Sequence, residues 1–332
     1  MSGLSEGTAL VIVIFVTFLW GSWFQAVKHT GRYPIYAFIN WLYLFSLAIV
    51  WGSIALLQKQ MVPNGVFNEI ANDIPRALLV LFCGAMYAIG MQMLLMVVGR
   101  MGLILSTSVS ATCSILMGML ISSLFGGLPE GLSFLRVLTA ALFLILATII
   151  CQYSGVMRDK NVGMKEKPVV KTRKKDVLLL LFISVFLSPF YFLATSVGLR
   201  SELRPNGFSA LTCMGILSIG AFIGTGIYSS IRLTREKKWH IFLHPGESRL
   251  LILGMAFIAA FCHFGGNVLH AIAAPVVSVV VATVAGNLYS MWSYVWGLAY
   301  GEYKGAAKKT YVVLFLGVVM FIMGVLIISI KT

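Results

Sequence analysis

"RDKNVGMKEKPVVKTRKKD", residues 158–176, is the longest strongly polar stretch in a chain whose other long runs are apolar. It falls near the midpoint of 332 residues and carries eight of the 25 Lys and Arg. A fresh hydrophobic run follows it at once. The stretch therefore reads as a linker between two halves of comparable length, 1–153 and 177–332, with 154–176 between them.

Outward from the linker the chain is 59% hydrophobic and 11% charged, with a mean hydropathy of +0.93. Soluble domains keep roughly a quarter of their residues charged, so the solvent of this chain is mostly lipid. A helix needs about 20 largely apolar residues to cross roughly 30 Å of hydrocarbon. Ten runs qualify, at 8–27, 36–57, 77–98, 103–125, 135–153, 177–198, 208–231, 250–270, 276–299 and 311–330. The first lacks the short charged flank and small-residue cleavage site of a signal peptide and reads as a retained span.

Five spans lie on each side of the linker. Five is odd, so the second half enters the membrane opposite in sense to the first, which is the ground plan of an inverted repeat. The expected fold is an all-α polytopic membrane protein with ten transmembrane helices as two inverted five-helix repeats. Two short stretches, "FCGAMYAIGMQ" at 82–92 and "FCHFGGNVLHA" at 261–271, fall at matching positions of the two halves.

Charge sets the orientation. The connections after odd-numbered spans hold 19 of the 25 Lys and Arg. Positive charge stays in the cytoplasm, so the linker is expected there and both termini outside, in the cytoplasmic membrane. The net charge of +14 is accounted for by this asymmetry, not by nucleic acid. The five cysteines sit in apolar runs without metal-ligand spacing and read as small packing residues. No metal or cofactor is expected.

Polar residues inside lipid-facing runs are costly and should face other helices or water. His263, Asn267 and His270 share one helical stripe, as do Asn287, Ser290 and Tyr294, and Ser106, Ser110 and Ser114; Asn40 and Gln92 stand alone. For each, an interhelical hydrogen bond competes with a shared wet cavity, and several stripes together favour the cavity. His270 lies near the expected outer boundary, where an interfacial place is the alternative. Trp20, Trp23 and Phe24, with Phe190 and Tyr191, add aromatic faces suited to stacking on sugars, although Trp23 and Phe24 also fit an interfacial belt. Pro189 should kink the sixth span by removing one hydrogen-bond donor. Gly220/Gly224, Gly297/Gly301 and Gly317/Gly324 suit close helix packing, with homodimerisation as the alternative use.

No phosphate-binding glycine loop, zinc-protease motif, nucleophile elbow or paired mid-membrane carboxylate is present. ATP-driven transport and intramembrane hydrolysis are thereby disfavoured, and the protein is not expected to be an enzyme. For proton coupling His263 is the first candidate and Glu302, at the cytosolic end of the ninth span, the second.

"FCGAMYAIGMQMLLMVVGRMGLILSTSVSATCSILMGMLI" (82–121) resembles the third and fourth spans of the L-rhamnose–proton symporter family. "AGNLYSMWSYVWGLAYGEYKGAAKKTYVVLFLGVVMFIMGVLI" (285–327) is similar to its ninth and tenth spans, and "GSWFQAVKHTGRYP" (21–34) to its first loop. The match is carried by Gly84, Ala85, Met86 and Arg100 and by the stretch from Gly286 to Lys309. The resemblance implies membership of the drug/metabolite transporter superfamily, with its glucose/ribose porters and ureide permeases. It further implies a central site and import of a small sugar.

The expectation is thus a secondary active transporter for a small neutral polar solute, such as a deoxyhexose or other monosaccharide. Its solute-binding candidates are Trp20, Asn40, Gln92, Ser110, Tyr191, His263, Asn267, Asn287 and Tyr294. A metabolite exporter for a ureide, amino acid or drug-like solute is the alternative, and a non-transporting membrane protein a further one.

Overall fold

The computed structural model describes residues 4–329 apart from 32, 102 and 163–173, with side chains described outside 98–109, 162, 174 and 247. Arg100 and Ser106 therefore lie outside the described side chains, and residues 163–173 of the linker lie outside the described residues; its ends, 154–162 and 174–176, are helical and extend the flanking helices. The described elements are helices, joined by turns and two isolated β-bridges.

The first half contains α1 (Glu6–Ser22), a 3-10 turn Trp23–His29, α2 (Ile35–Met61), a short α3 (Val66–Asn72), α4 (Ile74–Met101), α5 (Leu103–Ile121) and α6 (Phe134–Val162). The second contains α7 (Lys174–Leu187), α8 (Phe190–Gly198), α9 (Ala210–Arg235), a short α10 (Trp239–Leu243), α11 (Arg249–Ala260), α12 (Gly266–Val277), α13 (Val279–Gly286), α14 (Tyr289–Ala299) and α15 (Lys308–Ser329).

Eight helical stretches among the described residues are long and apolar enough to span a bilayer. Large apolar side chains point outward along them, Leu56, Leu250 and Phe315 among the most exposed. In water such a surface would aggregate; against acyl chains it costs nothing. The chain is an all-helical, multi-pass membrane protein.

Several sequence boundaries shift. The eighth span does not end at 270: helix continues through Pro275 to Val277, and Ser278 alone, at a φ of 82°, turns the chain into α13. The Ser278 hydroxyl accepts from Val281 N and caps the new helix. The ninth span breaks at 287–288 into α13 and α14. Pro189 does more than bend its helix: α7 stops at Leu187 and α8 restarts at Phe190. There the Ser188 hydroxyl donates back to Ser184 O at 2.6 Å. The short helices α3 and α10 fall in stretches read from sequence as connections.

The halves interlock. α9 packs along both α2 and α4, α1 lies against α12 and α14, and α15 lines up with α6. Glycines permit the closest of these approaches. A Cβ on Gly220 would overlap the Leu81 carbonyl, one on Gly224 the Ala85 backbone, and one on Gly84 the Leu217 carbonyl. Gly317 and Gly324 face Cys151 and Leu144 of α6 in the same way, and Gly297 faces Glu302. The small-residue faces of α4, α9 and α15 are thus engaged inside the chain, with packing of the kind that stabilises membrane bundles, whereas Gly301 lies in the turn after α14 at a φ of 72° with open space around it and takes no part in helix packing.

Candidate solute-binding site

A small cavity of about 60 Å³ lies between the halves, room for a few water-sized groups. From the first half it is lined by Trp20, Trp23, Phe24, Tyr87, Met91, Leu94, Ser110 and Ser114. From the second half come Ser188, Tyr191, Phe192, His263, Gly286, Asn287 and Tyr289. None of these described lining residues is Asp, Glu, Lys or Arg. Tyr87 sits close to the middle of α4, and His263 close to the middle of the continuous helix 249–277.

Irregular backbone shapes this cavity. At Phe261–Gly265 the helix widens into a π-turn, a local defect that often accompanies function. It re-aims His263 relative to Asn267 and His270, so the three do not form a regular α-helical stripe. His263 stacks on Trp23 with ring centroids 4.4 Å apart and planes 2° apart. Its Nε2 is hydrogen-bonded to the Tyr87 hydroxyl.

Asn267 is fully buried beside the cavity, where its Oδ1 accepts from Trp20 Nε1 at 3.0 Å. His270 is wholly buried, with Nδ1 3.0 Å from the Tyr191 hydroxyl and its ring 5.0 Å from that of Trp20. The interruption of the ninth span brings Asn287 to the wall. Asn287 Nδ2 donates to Thr283 O at 2.8 Å, and Ser290 Oγ donates to Asn287 O at 3.2 Å.

Of the residues singled out in the sequence, Trp20, Trp23, Phe24, Ser110, Ser114, Tyr191, His263 and Asn287 line the cavity, and Asn267 supports it. Others do not reach it. Gln92 donates to Ser229 Oγ at 2.8 Å and joins α4 to α9, the interhelical alternative. Asn40 is half-buried on α2, outside the wall, and Tyr294 is buried on α14 without lining the cavity. Pro189 sits beside the lining residues Ser188 and Tyr191 and positions both through the helix break.

Glu302 is remote from the cavity wall. Its carboxylate accepts from Lys28 Nζ at 2.7 Å and from Arg158 at 2.8 Å, tying the 3-10 turn after α1, the end of α6 and the turn after α14. A second ionic cluster ties the connections after even-numbered spans. Glu69 accepts from Arg200 at 2.9 Å and from Ser209 N at 3.0 Å. Arg204 donates to Phe125 O at 2.6 Å; burial, then the neighbouring Arg76 charge, lower its pKa.

Tyr87 and Tyr289 are lining residues the sequence reading passed over, although Tyr87 stood inside one of the two matched stretches. A tyrosine hydroxyl in a predicted span was the available signal, because it requires a partner when buried.

The fold and cavity define an all-helical, multi-pass membrane protein with an internal polar-aromatic chamber. The sequence matches no protein-family model and no curated protein. Seventeen chains of known structure resemble it. One, described only as the crystal structure of a protein, covers 97% of this chain and 96% of its own at a TM-score of 0.60 and 13% identity. At that identity the likeness concerns the fold alone.

Proposed function

We propose that the protein is a secondary transporter of a small neutral polar solute, a monosaccharide such as a deoxyhexose, working by alternating access. The observation that carries this reading is the chamber between the halves, built from uncharged hydrogen-bonding and aromatic side chains of both. Aromatic faces stack on the C–H faces of a sugar while amide, imidazole and hydroxyl groups meet its hydroxyls. A charged solute would find no counter-ion among the described lining residues. The resemblance to the L-rhamnose–proton symporter family points the same way.

In this reading ten helices form two inverted five-helix repeats, with α13 and α14 together making the ninth crossing. Both termini are outside, the 154–176 linker is cytosolic, and the membrane is the cytoplasmic one. Broken helices at α7–α8 and α13–α14 supply the bending that alternate opening needs. The Glu302 and Glu69 clusters tie the two ends and must loosen in turn.

Uptake of radiolabelled monosaccharides into proteoliposomes tests the proposal. Saturable flux lost in Asn287→Leu supports it. No flux of sugars, ureides or amino acids in either direction, with the reconstituted protein still folded, overturns it. An imposed pH gradient tests proton coupling: accumulation that follows the gradient and vanishes in Glu302→Gln or His263→Phe assigns the carrier.

A further inference from the structure

Three helices leave the cavity side by side, and glycines let them close on one another. α5 brings the lining residue Ser114, α8 brings Phe192, and α13 ends at Gly286 beside Asn287. One turn beyond Ser114, a Cβ on Gly118 would lie 2.8 Å from the Phe192 ring and 3.2 Å from Thr283 Cγ2. Further out, a Cβ on Gly126 would lie 3.5 Å from Ser196 Oγ and 3.7 Å from Val279 Cβ. Gly118 and Gly126 thus mark a seam that runs from the cavity to the end of the bundle where Ser278 turns the chain.

Glycines alone would mark packing; two hydroxyls in the seam add something else. Serine and threonine inside a helix commonly bond back to its own carbonyls. Ser122 does so to Gly118 O at 2.6 Å, and Thr195 to Phe192 O at 3.1 Å. Ser196 and Thr283 do not. They are 3% and 0% exposed, and neither hydroxyl oxygen has a partner in the protein. Buried polar groups are rarely left so. Asn287 Oδ1, one helical turn from Thr283 on the cavity wall, is likewise without a partner.

The far end of the seam is latched. α5 gives way to a π-turn over Ser122–Gly126, followed by Gly127 at a φ of 79°. Arg204, in the connection after α8, donates to Phe125 O at 2.6 Å and to Val197 O at 3.1 Å, joining the ends of α5 and α8. The Leu203 side chain sits against Gly127. Arg200 of the same connection is held by Glu69.

We infer that this seam is the passage by which the cavity opens toward the Glu69 end of the bundle. Ser196 and Thr283 are its hydrogen-bonding steps for water or a hydroxylated solute, and Arg204 is its latch. The passage is shut in this structure. The solute rests on the transporter reading, whereas the route is read from the seam itself.

The test is a lock across the seam. Ser196 Cβ lies 3.7 Å from the Cβ position of Gly126, close to the roughly 3.8 Å of a disulfide. Gly126→Cys with Ser196→Cys should therefore cross-link on mild oxidation. Gly126→Cys with Val279→Cys, equally close, repeats the lock on α13 if the first pair does not fold. Access is reported by Ser110→Cys, 3% exposed and on the cavity wall. Full-length protein in sealed vesicles of one orientation is treated with a charged, membrane-impermeant methanethiosulfonate. The reagent is applied to the face on which Glu130→Cys, in the exposed connection after α5, reacts, and mass spectrometry identifies the modified site.

Ser110→Cys should be modified while the seam cysteines are reduced, and modification should be lost once they are cross-linked. Modification that persists after cross-linking, or is missing in both states, overturns the inference, as does a folded pair that fails to cross-link. Sugar uptake separates the two readings. Access controlled by the lock with no uptake of any sugar refutes the transporter and leaves the passage; uptake that survives cross-linking refutes the passage and leaves the transporter.

Discussion

Trp20 and Asn267 are 247 residues apart and joined by one hydrogen bond of 3.0 Å in a buried setting. Trp20→Phe keeps an aromatic ring and removes the donor, leaving Asn267 Oδ1 buried without a partner. Such an orphaned group costs about 1–3 kcal/mol. Hydrogen bonds inside membrane bundles average only about 0.6 kcal/mol, with a maximum near 1.7, because the unfolded chain in lipid also finds partners. The site favours the upper part of that range, since Asn267 is 0% exposed and its oxygen has no other donor. Asn267→Leu orphans the indole N–H instead, at similar cost.

In the double variant neither group remains to be left unpaired. The two single costs should therefore overshoot the double by roughly 1 kcal/mol, the coupling energy of contacting residues. The assay is equilibrium unfolding of purified protein in mixed micelles with all four members of the cycle. A melting-temperature readout would show only roughly 2 °C or less for a chain of this size, so the denaturant midpoint is the better measure. Additivity within about 0.3 kcal/mol would refute the claim that this bond ties the halves together.

Other expectations concern the rest of the molecule. Gly220→Val should push α9 off α4, since its side chain meets the Leu81 carbonyl, and cost at least about 1–3 kcal/mol. Gly226→Ala, in open space on the same helix, should instead stabilise by roughly 0.5–1 kcal/mol; denaturant midpoints of the pair check the contrast. Glu302→Gln should destabilise more than Lys28→Gln, because it leaves the 6%-exposed Arg158 side chain with Asp159 alone, and the reverse order in thermal unfolding would contradict this. Burial raises the Glu236 carboxyl, but hydrogen bonds from Lys238 and Tyr36 and the Arg232 charge outweigh it and hold it below 4.5. A depressed folded-state pKa gives stability that is present above the unfolded value and lost as pH falls through the folded one. Melting curves below about pH 4.5 should accordingly flatten in Glu236→Gln. On the proposed transporter reading, Pro189→Ala should join α7 to α8, leaving expression intact while lowering turnover in the uptake assay; unchanged turnover would make the break a packing feature only.

Much of the fold was legible because lipid imposes length and composition on whatever crosses it. α2, α9 and α15 each coincide with a predicted span to within a few residues, whereas α6 begins as predicted but runs nine residues past 153, through the first part of the polar linker. The errors fall where a turn needs almost no polar sequence. Ser278 reverses the chain alone, between apolar residues, so the eighth and ninth spans were divided several residues too early. The break at 287–288 was hidden too, since Asn287 supplies from its own side chain a hydrogen bond to the carbonyl of Thr283. The site was half legible. Amides and imidazoles stand out in an apolar run, yet Gln92 and Asn267 are the same kind of signal, and only one adjoins the cavity. The difference lies in what faces them, Ser229 in one case and Trp20 in the other.

By itself, then, the order of residues determined a lipid-embedded bundle of helices, the charged connections, and which side chains were too polar to face acyl chains. Tertiary structure alone decided which of those side chains meet. Hydrophobicity is a property each residue carries along the chain, whereas a hydrogen bond between Tyr87 and His263 depends on a π-turn, two broken helices and the glycines that let their neighbours close in.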